Sequence, residues 1–242
     1  MTETLRTESA TSMIDRIIET VPGWSPADEL LALYTMALAT AHIPGDVLEI
    51  GSWCGRSTAV LGHAVRVTGK GFVHAIDPFP TGKDWYTNPD GSHSFAMELE
   101  GVAIGGYQDQ TVWDEPFQDV KKTVYNQHES PYDIFMTVMS SEGLNEVVKT
   151  HRGTSSMFAG KVSDETMVRL AFIDGDHSYE SVCNDIANVE KYLQIGGWIT
   201  FDDAFTVYEG VNTAIIEKVM SSERYECGQQ ICRKMFTARF KG

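Results

Sequence analysis

The chain has 242 residues and a formal net charge of −15, from 34 Asp and Glu against 19 Lys and Arg. Hydrophobic residues make up 42% of it, enough to bury a core, so a disordered chain is excluded. A nucleic-acid-binding protein needs a basic face, and no cluster of Lys and Arg is longer than two residues. The length fits a single domain over residues 1–242, and a nucleic-acid partner is not expected.

Targeting features are also missing from the sequence. No run of about 18 apolar residues occurs, so no membrane-spanning helix and no membrane partner are expected. Residues 1–15 lack the basic-then-apolar order of a secretory signal. The cysteines have no CxxC spacing and are typical of reduced thiols, so we expect a cytoplasmic protein.

Two helices are predicted within residues 1–44. Apolar side chains at helical spacing predict the first helix over residues 10–21. For the second helix, Ser25 is the predicted N-cap and Pro26 the predicted first helical residue.

From Gly45 onward, predicted strands alternate with predicted helices. The strands are Val47–Gly51, Phe72–Asp77, Val147–His151, Leu170–Asp174 and Trp198–Asp202. The helices cover residues 57–67, 180–193 and 208–221, and residues 224–240 resemble a hairpin. This alternation predicts an α/β fold with a parallel, doubly wound sheet.

One long segment, about residues 78–131, does not fit the alternation. It is rich in aromatic residues and contains several glycines. Long irregular segments in compact domains commonly form lids or binding loops. We expect an inserted lid or substrate wall; a packed subdomain or an oligomer contact is the alternative.

A glycine loop, VLEIGSWCGRS, follows the first predicted strand. It lacks the GxGxxG of dinucleotide sites and the GxxxxGK of nucleoside triphosphate sites. Glu49, Gly51 and Gly55 instead match the acid-x-Gly-x-x-x-Gly pattern of class I methyltransferases, whose cofactor is S-adenosylmethionine. Asp77, at the tip of the second strand, is placed to accept hydrogen bonds from the ribose hydroxyls of that cofactor.

Carboxylates also follow two later strands. Asp174 ends one strand, and Asp202 and Asp203 end the next. If those strands are neighbours, the carboxylates crowd together and need a cation, for which Mg²⁺ is favoured and Mn²⁺ or Ca²⁺ is an alternative. Adjacent residues of a regular strand point to opposite faces, so Asp202 and Asp203 can share an ion only if the strand ends or bends there. His177, just past Asp174, is the candidate base.

The segments EIGSWCGRS, AIDPF, FIDGDHSYESV and GGWITFDD together resemble one family. It is the S-adenosylmethionine-dependent methyltransferase family that includes macrocin-type sugar O-methyltransferases and cephalosporin-hydroxylase-like proteins. The resemblance implies a Rossmann-like fold with a mostly parallel seven-stranded sheet, helices on both faces and an antiparallel last strand. It also implies a possible homo-oligomer. By position, it assigns these residues to the cofactor site: Glu49, Gly51, Ser52, Trp53, Gly55, Ser57, Asp77, Ser155 (near the adenine) and Asp174.

In metal-dependent relatives, acids at the positions of Asp174, Asp202 and Asp203 bind Mg²⁺, and a histidine at the position of His177 is the proposed base. We therefore expect a divalent-metal-dependent O-methyltransferase in which His177 and Asp174 are catalytic. Its acceptor would be a hydroxyl of a small molecule such as a sugar, a polyol or a natural product. The alternatives are a metal-independent N-methyltransferase, a catechol-type O-methyltransferase and a regulatory protein that binds S-adenosylmethionine without turnover.

Overall fold

The structure, a computed structural model, describes residues 8–107, 117–119 and 121–242. The strands in these ranges are β1 (Asp46–Ile50), β2 (Val73–Asp77), β3 (Trp85–Thr87), β4 (His93–Leu99), β5 (Val102–Gly106), β6 (Val148–Arg152), β7 (Val168–Ile173), β8 (Leu193–Phe201), β9 (Tyr225–Ile231) and β10 (Met235–Phe240). The α-helices are α1 (Ala10–Thr20), α2 (Ala27–Ala39), α3 (Arg56–Thr68), α4 (Pro131–Ser141), α5 (Ser155–Phe158), α6 (Tyr179–Val189) and α7 (Glu209–Ala214). Two π-helical segments cover Lys121–Tyr125 and Ile215–Met220.

The larger sheet has seven strands in the order β6-β2-β1-β7-β8-β10-β9. Strands β6, β2, β1, β7 and β8 pair in parallel, whereas β10 is antiparallel to both β8 and β9. The predicted mostly parallel seven-stranded sheet, its antiparallel last strand and the hairpin near residues 224–240 are all confirmed. Each predicted strand of the alternation is present with ends that differ by one or two residues, except that β8 begins five residues before the predicted start at Trp198.

Helices cover both faces of this sheet. Helices α1 to α4 pack on one face in a core that includes Ile14, Leu33 and Phe135. Helices α5 to α7 pack on the other face, in a core that includes Ile186 and Phe201. The central strands are mostly apolar and buried on both sides, as parallel strands between two helical layers require, although β1 buries Glu49 and β7 buries Arg169. None of the helices in the described ranges is both long and apolar enough to cross a membrane.

The start of the second helix differs from the prediction. Pro26, rather than Ser25, is the N-cap of α2, and no side chain caps this end. Pro26 has an extended backbone, so the helix begins one residue later, at Ala27. Ser25 lies outside the helix, and its carbonyl oxygen accepts a hydrogen bond from the guanidinium of Arg56 at 3.4 Å.

The insertion is more regular than the sequence indicates. Strands β3, β4 and β5 form a separate three-stranded antiparallel sheet within the predicted lid segment of residues 78–131. Strand β3 is only three residues long, which explains why no strand was predicted there. Residues 108–116 and 120 of the insertion, Trp113 included, lie outside the described ranges.

Three backbone hydrogen bonds align the carboxyl ends of the central strands. The N–H of Gly51 donates to Ile76, that of Asp174 to Ile50 and that of Asp202 to Ile173, over 2.8–3.0 Å. A Cβ on Gly51 would lie 1.9 Å from the carbonyl oxygen of Asp174, and its φ is +92°. Gly51 is therefore required by the close approach of the end of β7, in addition to any approach of a ligand.

Replacing Gly51 tests this contact. Gly51→Ala should lower the free energy of unfolding by about 2–5 kcal/mol, because backbone strain and a backbone collision add together. Gly69→Ala is the matched control, since Gly69 also has a positive φ, +63°, but a Cβ there would meet no atom within 4 Å. The control should lose only about 1–2 kcal/mol in urea unfolding. Equal losses in the two variants would contradict the role given to the Asp174 carbonyl.

Candidate active site

A cavity of about 520 Å³ opens at the carboxyl ends of β1, β2, β7 and β8. Its walls come from these strand ends, from the inserted sheet and from residues 22–25 between α1 and α2. The sequence-predicted residues that line it are Gly51, Ser52, Trp53, Ser57, Asp77, Ser155, Asp174, His177, Asp202 and Asp203. The fold thus gathers into one cavity residues that are up to 152 positions apart in the chain.

Two predicted cofactor residues, Glu49 and Gly55, lie behind this wall. Burial raises the pKa of Glu49 to about 7, and hydrogen bonds from the hydroxyls of Ser57, Thr58 and Ser52 oppose the rise. Gly55 is the N-cap of α3, and a Cβ there would lie 3.0 Å from the ring of Phe135. Both residues shape the loop from behind instead of forming its cavity surface.

Asp77 holds the glycine loop against the end of β2. Its Oδ2 accepts a hydrogen bond from the N–H of Trp53 at 2.9 Å, and its Oδ1 accepts one from Phe79 at 2.6 Å. Burial raises the pKa of Asp77 to about 6, and these two backbone N–H groups oppose that rise. Each carboxylate oxygen retains a lone pair, so Asp77 can also accept hydrogen bonds from a ligand.

Arg56, at the start of α3, fixes the N-terminal segment beside the site. Its guanidinium donates to the carbonyls of Val21, at 2.6 and 2.8 Å, and of Ile18, at 3.3 Å. These bonds hold the segment after α1 beside the glycine loop, where the ring of Trp24 lies 4.5 Å from that of Trp53. Sequence reasoning missed Trp24, because nothing in the sequence connects the two segments.

The region around Ser155 contains a second acid that was not predicted. The hydroxyl of Ser155 donates to Asp185 Oδ1 at 2.6 Å and accepts from Asn188 at 3.0 Å. Burial raises the pKa of Asp185 to about 7, and the Ser155 hydroxyl opposes the rise. Asp185 lies on α6 and also lines the cavity.

Asp202 and Asp203 converge on a lysine from the turn before β10. The ammonium of Lys234 donates to Asp202 Oδ2 at 2.8 Å and to Asp203 Oδ1 at 2.9 Å. Asp203 has a φ of +53°, so the extended strand has ended and successive side chains no longer point to opposite faces. This left-handed residue allows the two neighbouring carboxylates to share one cation, as the prediction required.

The cluster holds more negative charge than Lys234 balances. Burial, together with the charges of Asp202 and Asp203, raises the pKa of Asp174 well above its ordinary value. Glu29 of α2 lies 3.7 Å from the Lys234 ammonium, and burial with the charge of Asp202 raises its pKa to about 7. Three carboxylates therefore lie within 4 Å of one ammonium group in the described structure, and Asp174 adds a fourth acid to the cluster. Neither Lys234 nor Glu29 carries a local sequence signal, because both reach the cluster from distant elements.

His177 lies beside the cluster, on the cavity wall. Its Nε2 is 3.2 Å from Asp203 Oδ2, and its ring is 4.2 Å from that of Tyr208. Burial lowers the pKa of His177, although the charges of Asp203, Asp176 and Asp202 oppose this. The imidazole is accordingly neutral near pH 7 and able to accept a proton.

The donor atoms also fit a divalent cation. One ligand atom each from Asp174, His177 and Asp203 lies within 4.8 Å of the others. This set differs from the predicted Asp174, Asp202 and Asp203 in one member. Asp202 is also a candidate ligand, because its Oδ1 is buried and has no hydrogen-bond partner in the described structure. Both sets contain Asp174 and Asp203, and carboxylate oxygens are the ligands that Mg²⁺ prefers.

Removing the ammonium tests its role. Lys234→Met should lower the free energy of unfolding near pH 8 by about 2 kcal/mol, because the buried carboxylates lose their counter-charge. The loss should shrink as the pH falls to about 5, because Glu29 and Asp174 have raised pKa values and then take up protons. Arg233→Met, which removes a side chain that is 68% exposed, is the control and should cost less than about 1 kcal/mol. A pH-independent loss in Lys234→Met would contradict the charge balance.

The chain is similar to known proteins in a short stretch of sequence and in its fold. A short segment of 36 residues is 50% identical to uncharacterized protein R132 of Acanthamoeba polyphaga mimivirus, and it covers 15% of this chain and 16% of that protein. The O-methyltransferase NovP superposes with a TM-score of 0.62 at 15% identity, over 97% of this chain and 100% of NovP. The O-methyltransferase TomG from Streptomyces achromogenes, solved with S-adenosylmethionine, gives a TM-score of 0.57 at 12% identity over 99% and 93% of the two chains.

The structural likenesses show a shared fold, the Rossmann-like methyltransferase fold that the sequence motifs imply. The family is shown independently, by a family model described as a methyltransferase domain that matches residues 48–204. This match covers more than half of the chain and includes the glycine loop and the acidic cluster up to Asp203. The chain belongs to this family of methyltransferase domains and is a class I methyltransferase.

Proposed function

We propose that this protein transfers the methyl group of S-adenosylmethionine to a hydroxyl oxygen of a small molecule. The observation that carries the proposal is the position of the His177 imidazole, which lies in the same cavity as the glycine loop and Asp77. A cofactor site and a candidate base are thus combined in one enclosed space. The O-methyltransferases NovP and TomG, which share the fold, support oxygen as the acceptor atom.

The cofactor would bind between the glycine loop and the segment after α1. Asp77 would accept hydrogen bonds from the ribose hydroxyls, and Trp53 and Ser155 would lie along the nucleoside. Trp24 and Trp53 offer aromatic faces beside this site. The loop and Asp77 are already joined by hydrogen bonds, so the site needs little rearrangement to take its ligand.

Proton removal would fall to His177. A hydroxyl is a weak nucleophile, and a base within hydrogen-bond reach increases its reactivity as the proton leaves. Asp203, 3.2 Å from Nε2, would orient the imidazole and stabilise its charged form. The protein would also align the acceptor oxygen with the methyl group and the sulfur, and such positioning supplies a large part of a rate acceleration.

The acidic cluster fits a divalent cation, and Asp174 and Asp203 are the residues that would hold it, with Asp202 as the third ligand because its buried Oδ1 has no hydrogen-bond partner in the described structure; His177 would stay beside the cation as the base. A bound Mg²⁺ supplies positive charge that lowers the pKa of an acceptor hydroxyl. Mg²⁺ is commonly held by only one or two carboxylates, with other positions left for water and substrate. We therefore propose a metal-dependent O-methyltransferase, with Mn²⁺ or Ca²⁺ as possible substitutes for Mg²⁺.

His177→Gln tests the base. The substitution should reduce kcat about 10²- to 10⁴-fold, the usual contribution of a general base, and leave the affinity for S-adenosylhomocysteine unchanged. In the unaltered enzyme, kcat/KM should fall as the pH drops through a value below 6.5, because burial lowers the pKa of His177 and only its neutral form accepts a proton. His42→Gln, outside the cavity, is the control. Full activity of His177→Gln would remove this residue as the base.

Asp77→Asn tests the cofactor site. Losing the charged acceptor should weaken binding of S-adenosylhomocysteine about 10- to 100-fold, measured by calorimetry. The unaltered protein should lose affinity below about pH 6, where Asp77 becomes protonated, whereas the variant should lack this part of the pH dependence. Asp90→Asn, on an exposed turn of the insertion, is the control. Unchanged affinity in Asp77→Asn would contradict the assignment.

Metal dependence is tested by chelation and by direct binding of Mn²⁺. EDTA should abolish methyl transfer and added Mg²⁺ should restore it; activity that persists in EDTA would contradict a required metal and favour the metal-independent alternative. Asp174→Asn and Asp203→Asn should both lose Mn²⁺ binding, measured by electron paramagnetic resonance. Asp202→Asn should also bind Mn²⁺ more weakly, whereas His177→Gln should bind it as the unaltered protein does; weaker Mn²⁺ binding in His177→Gln would make His177 a metal ligand and remove it as the base.

A further inference from the structure

One wall of the cavity is formed by aromatic rings from the insertion. This aromatic wall consists of Trp85, Phe95, Tyr107 and Phe117, all of which line the cavity. The Trp85 ring lies 5.5 Å from Phe95 and 5.1 Å from Phe117, and it is nearly parallel to Tyr107 at 5.8 Å. The four rings therefore form one continuous surface around the indole of Trp85.

Contacts beneath the rings hold this surface in place. The indole N–H of Trp85 donates to the hydroxyl of Tyr125 at 2.7 Å. Phe95 is paired across the sheet with Gly106, and a Cβ on Gly106 would lie 2.4 Å from the Phe95 ring. Because Gly106 has no side chain, the Phe95 ring can lie directly over its backbone. A surface that is already ordered loses little conformational entropy when a ligand binds to it.

The aromatic wall ends at the reacting groups. The ring of Tyr107 is 6.2 Å from that of His177. The backbone N–H of Tyr107 donates to Asp176 Oδ1 at 2.9 Å. This hydrogen bond joins the end of the insertion to the segment that carries the base. A flat molecule lying on the wall can therefore place a hydroxyl group at its edge beside His177.

The charges around the cavity do not suit a phosphorylated acceptor. Among the described lining residues the strong cations are Arg56 and Lys234, and both are held by carbonyl or carboxylate oxygens. Six aspartates line the same space: Asp77, Asp174, Asp176, Asp185, Asp202 and Asp203. A diphosphate would therefore find no lysine or arginine of the described lining available to bind it, and would depend on the proposed divalent cation alone.

We propose that the acceptor is an uncharged hydroxylated aromatic compound, and that its ring stacks on the aromatic wall with the hydroxyl at His177. The proposal rests on the function proposed above and names its substrate class. In the reaction, the acceptor oxygen forms a bond to the methyl carbon while the carbon–sulfur bond breaks. The hydroxyl proton passes to His177, and the cofactor leaves as S-adenosylhomocysteine. This class differs from the sugars that the family resemblance places first.

Binding to the protein saturated with S-adenosylhomocysteine tests the substrate class without turnover. The probes are 2,3-dihydroxynaphthalene, methyl α-rhamnopyranoside and thymidine diphosphate rhamnose, compared by calorimetry. The naphthalene diol should bind at least about 10-fold more tightly than either sugar, as expected for ring stacking. Equal or tighter binding of a sugar would overturn the proposal.

Variants of the wall separate aromatic stacking from general apolar contact. Trp85→Leu and Phe95→Leu should each weaken binding of the naphthalene diol about 10-fold, whereas Trp85→Phe should stay within about 3-fold of the unaltered protein. Tyr86→Leu is the control, because this neighbouring ring is 42% exposed and lies outside the cavity. Unchanged affinity for S-adenosylhomocysteine shows that each variant is folded. Equal effects of Trp85→Phe and Trp85→Leu would overturn stacking as the source of affinity.

Methyl transfer, measured as formation of S-adenosylhomocysteine, distinguishes failure of this proposal from failure of the proposed function. Absence of transfer to every probe, despite tight and Trp85-dependent binding of the diol, would overturn the proposed function and support the aromatic site. Transfer to methyl α-rhamnopyranoside that is unaffected by Trp85→Leu would support the function and overturn the aromatic acceptor.

Discussion

The parallel register of the central strands is the constraint on which the site depends. Parallel strands end at the same edge of a sheet, and here each carboxyl end is joined to the next by a backbone hydrogen bond. That alignment places Asp77, Asp174 and Asp202 along one edge, although they come from three different strand–helix units. The close approach of Gly51 to the carbonyl of Asp174 is part of the same alignment. The register that builds the sheet therefore also concentrates negative charge at its edge.

Such a concentration of carboxylates is unfavourable unless positive charge is near. The protein meets part of this need with Lys234, which binds Asp202 and Asp203 together because the backbone of Asp203 turns into the left-handed region. Asp174 and Glu29 are left with pKa values raised by burial and by their charged neighbours. The cluster thus retains an excess of negative charge on its cavity side, where a divalent cation and His177 would act.

The sequence predicts local features of this site better than distant ones. Strand and helix periodicity predicts the sheet, and the glycine loop and the acids at strand ends predict the polar residues at the floor of the cavity, because each is a property of a short segment. The inserted sheet was not predicted, since β3 is only three residues long and the register of the three strands depends on their pairing. Lys234 and Trp24 could not be predicted, because their roles arise only when the β9–β10 turn and the segment after α1 reach the strand ends. Glu49 and Gly55 show what the motif does not predict. The motif locates the loop, but these two residues lie beneath its cavity surface and do not line the cavity.

The position of β10 has a consequence for how the protein assembles during synthesis. In the sheet β10 lies between β8 and β9, yet it is made after both of them. Until it emerges from the ribosome and pairs, the edge of β8 is open, and nothing holds Lys234 between Asp202 and Asp203. The strand that closes the hydrogen-bonded sheet is also the strand that fixes the ammonium group in place. Completion of the sheet and placement of the Lys234 ammonium are consequently coupled, so a nascent chain lacking β10 would carry the glycine loop and the acids but not a finished site.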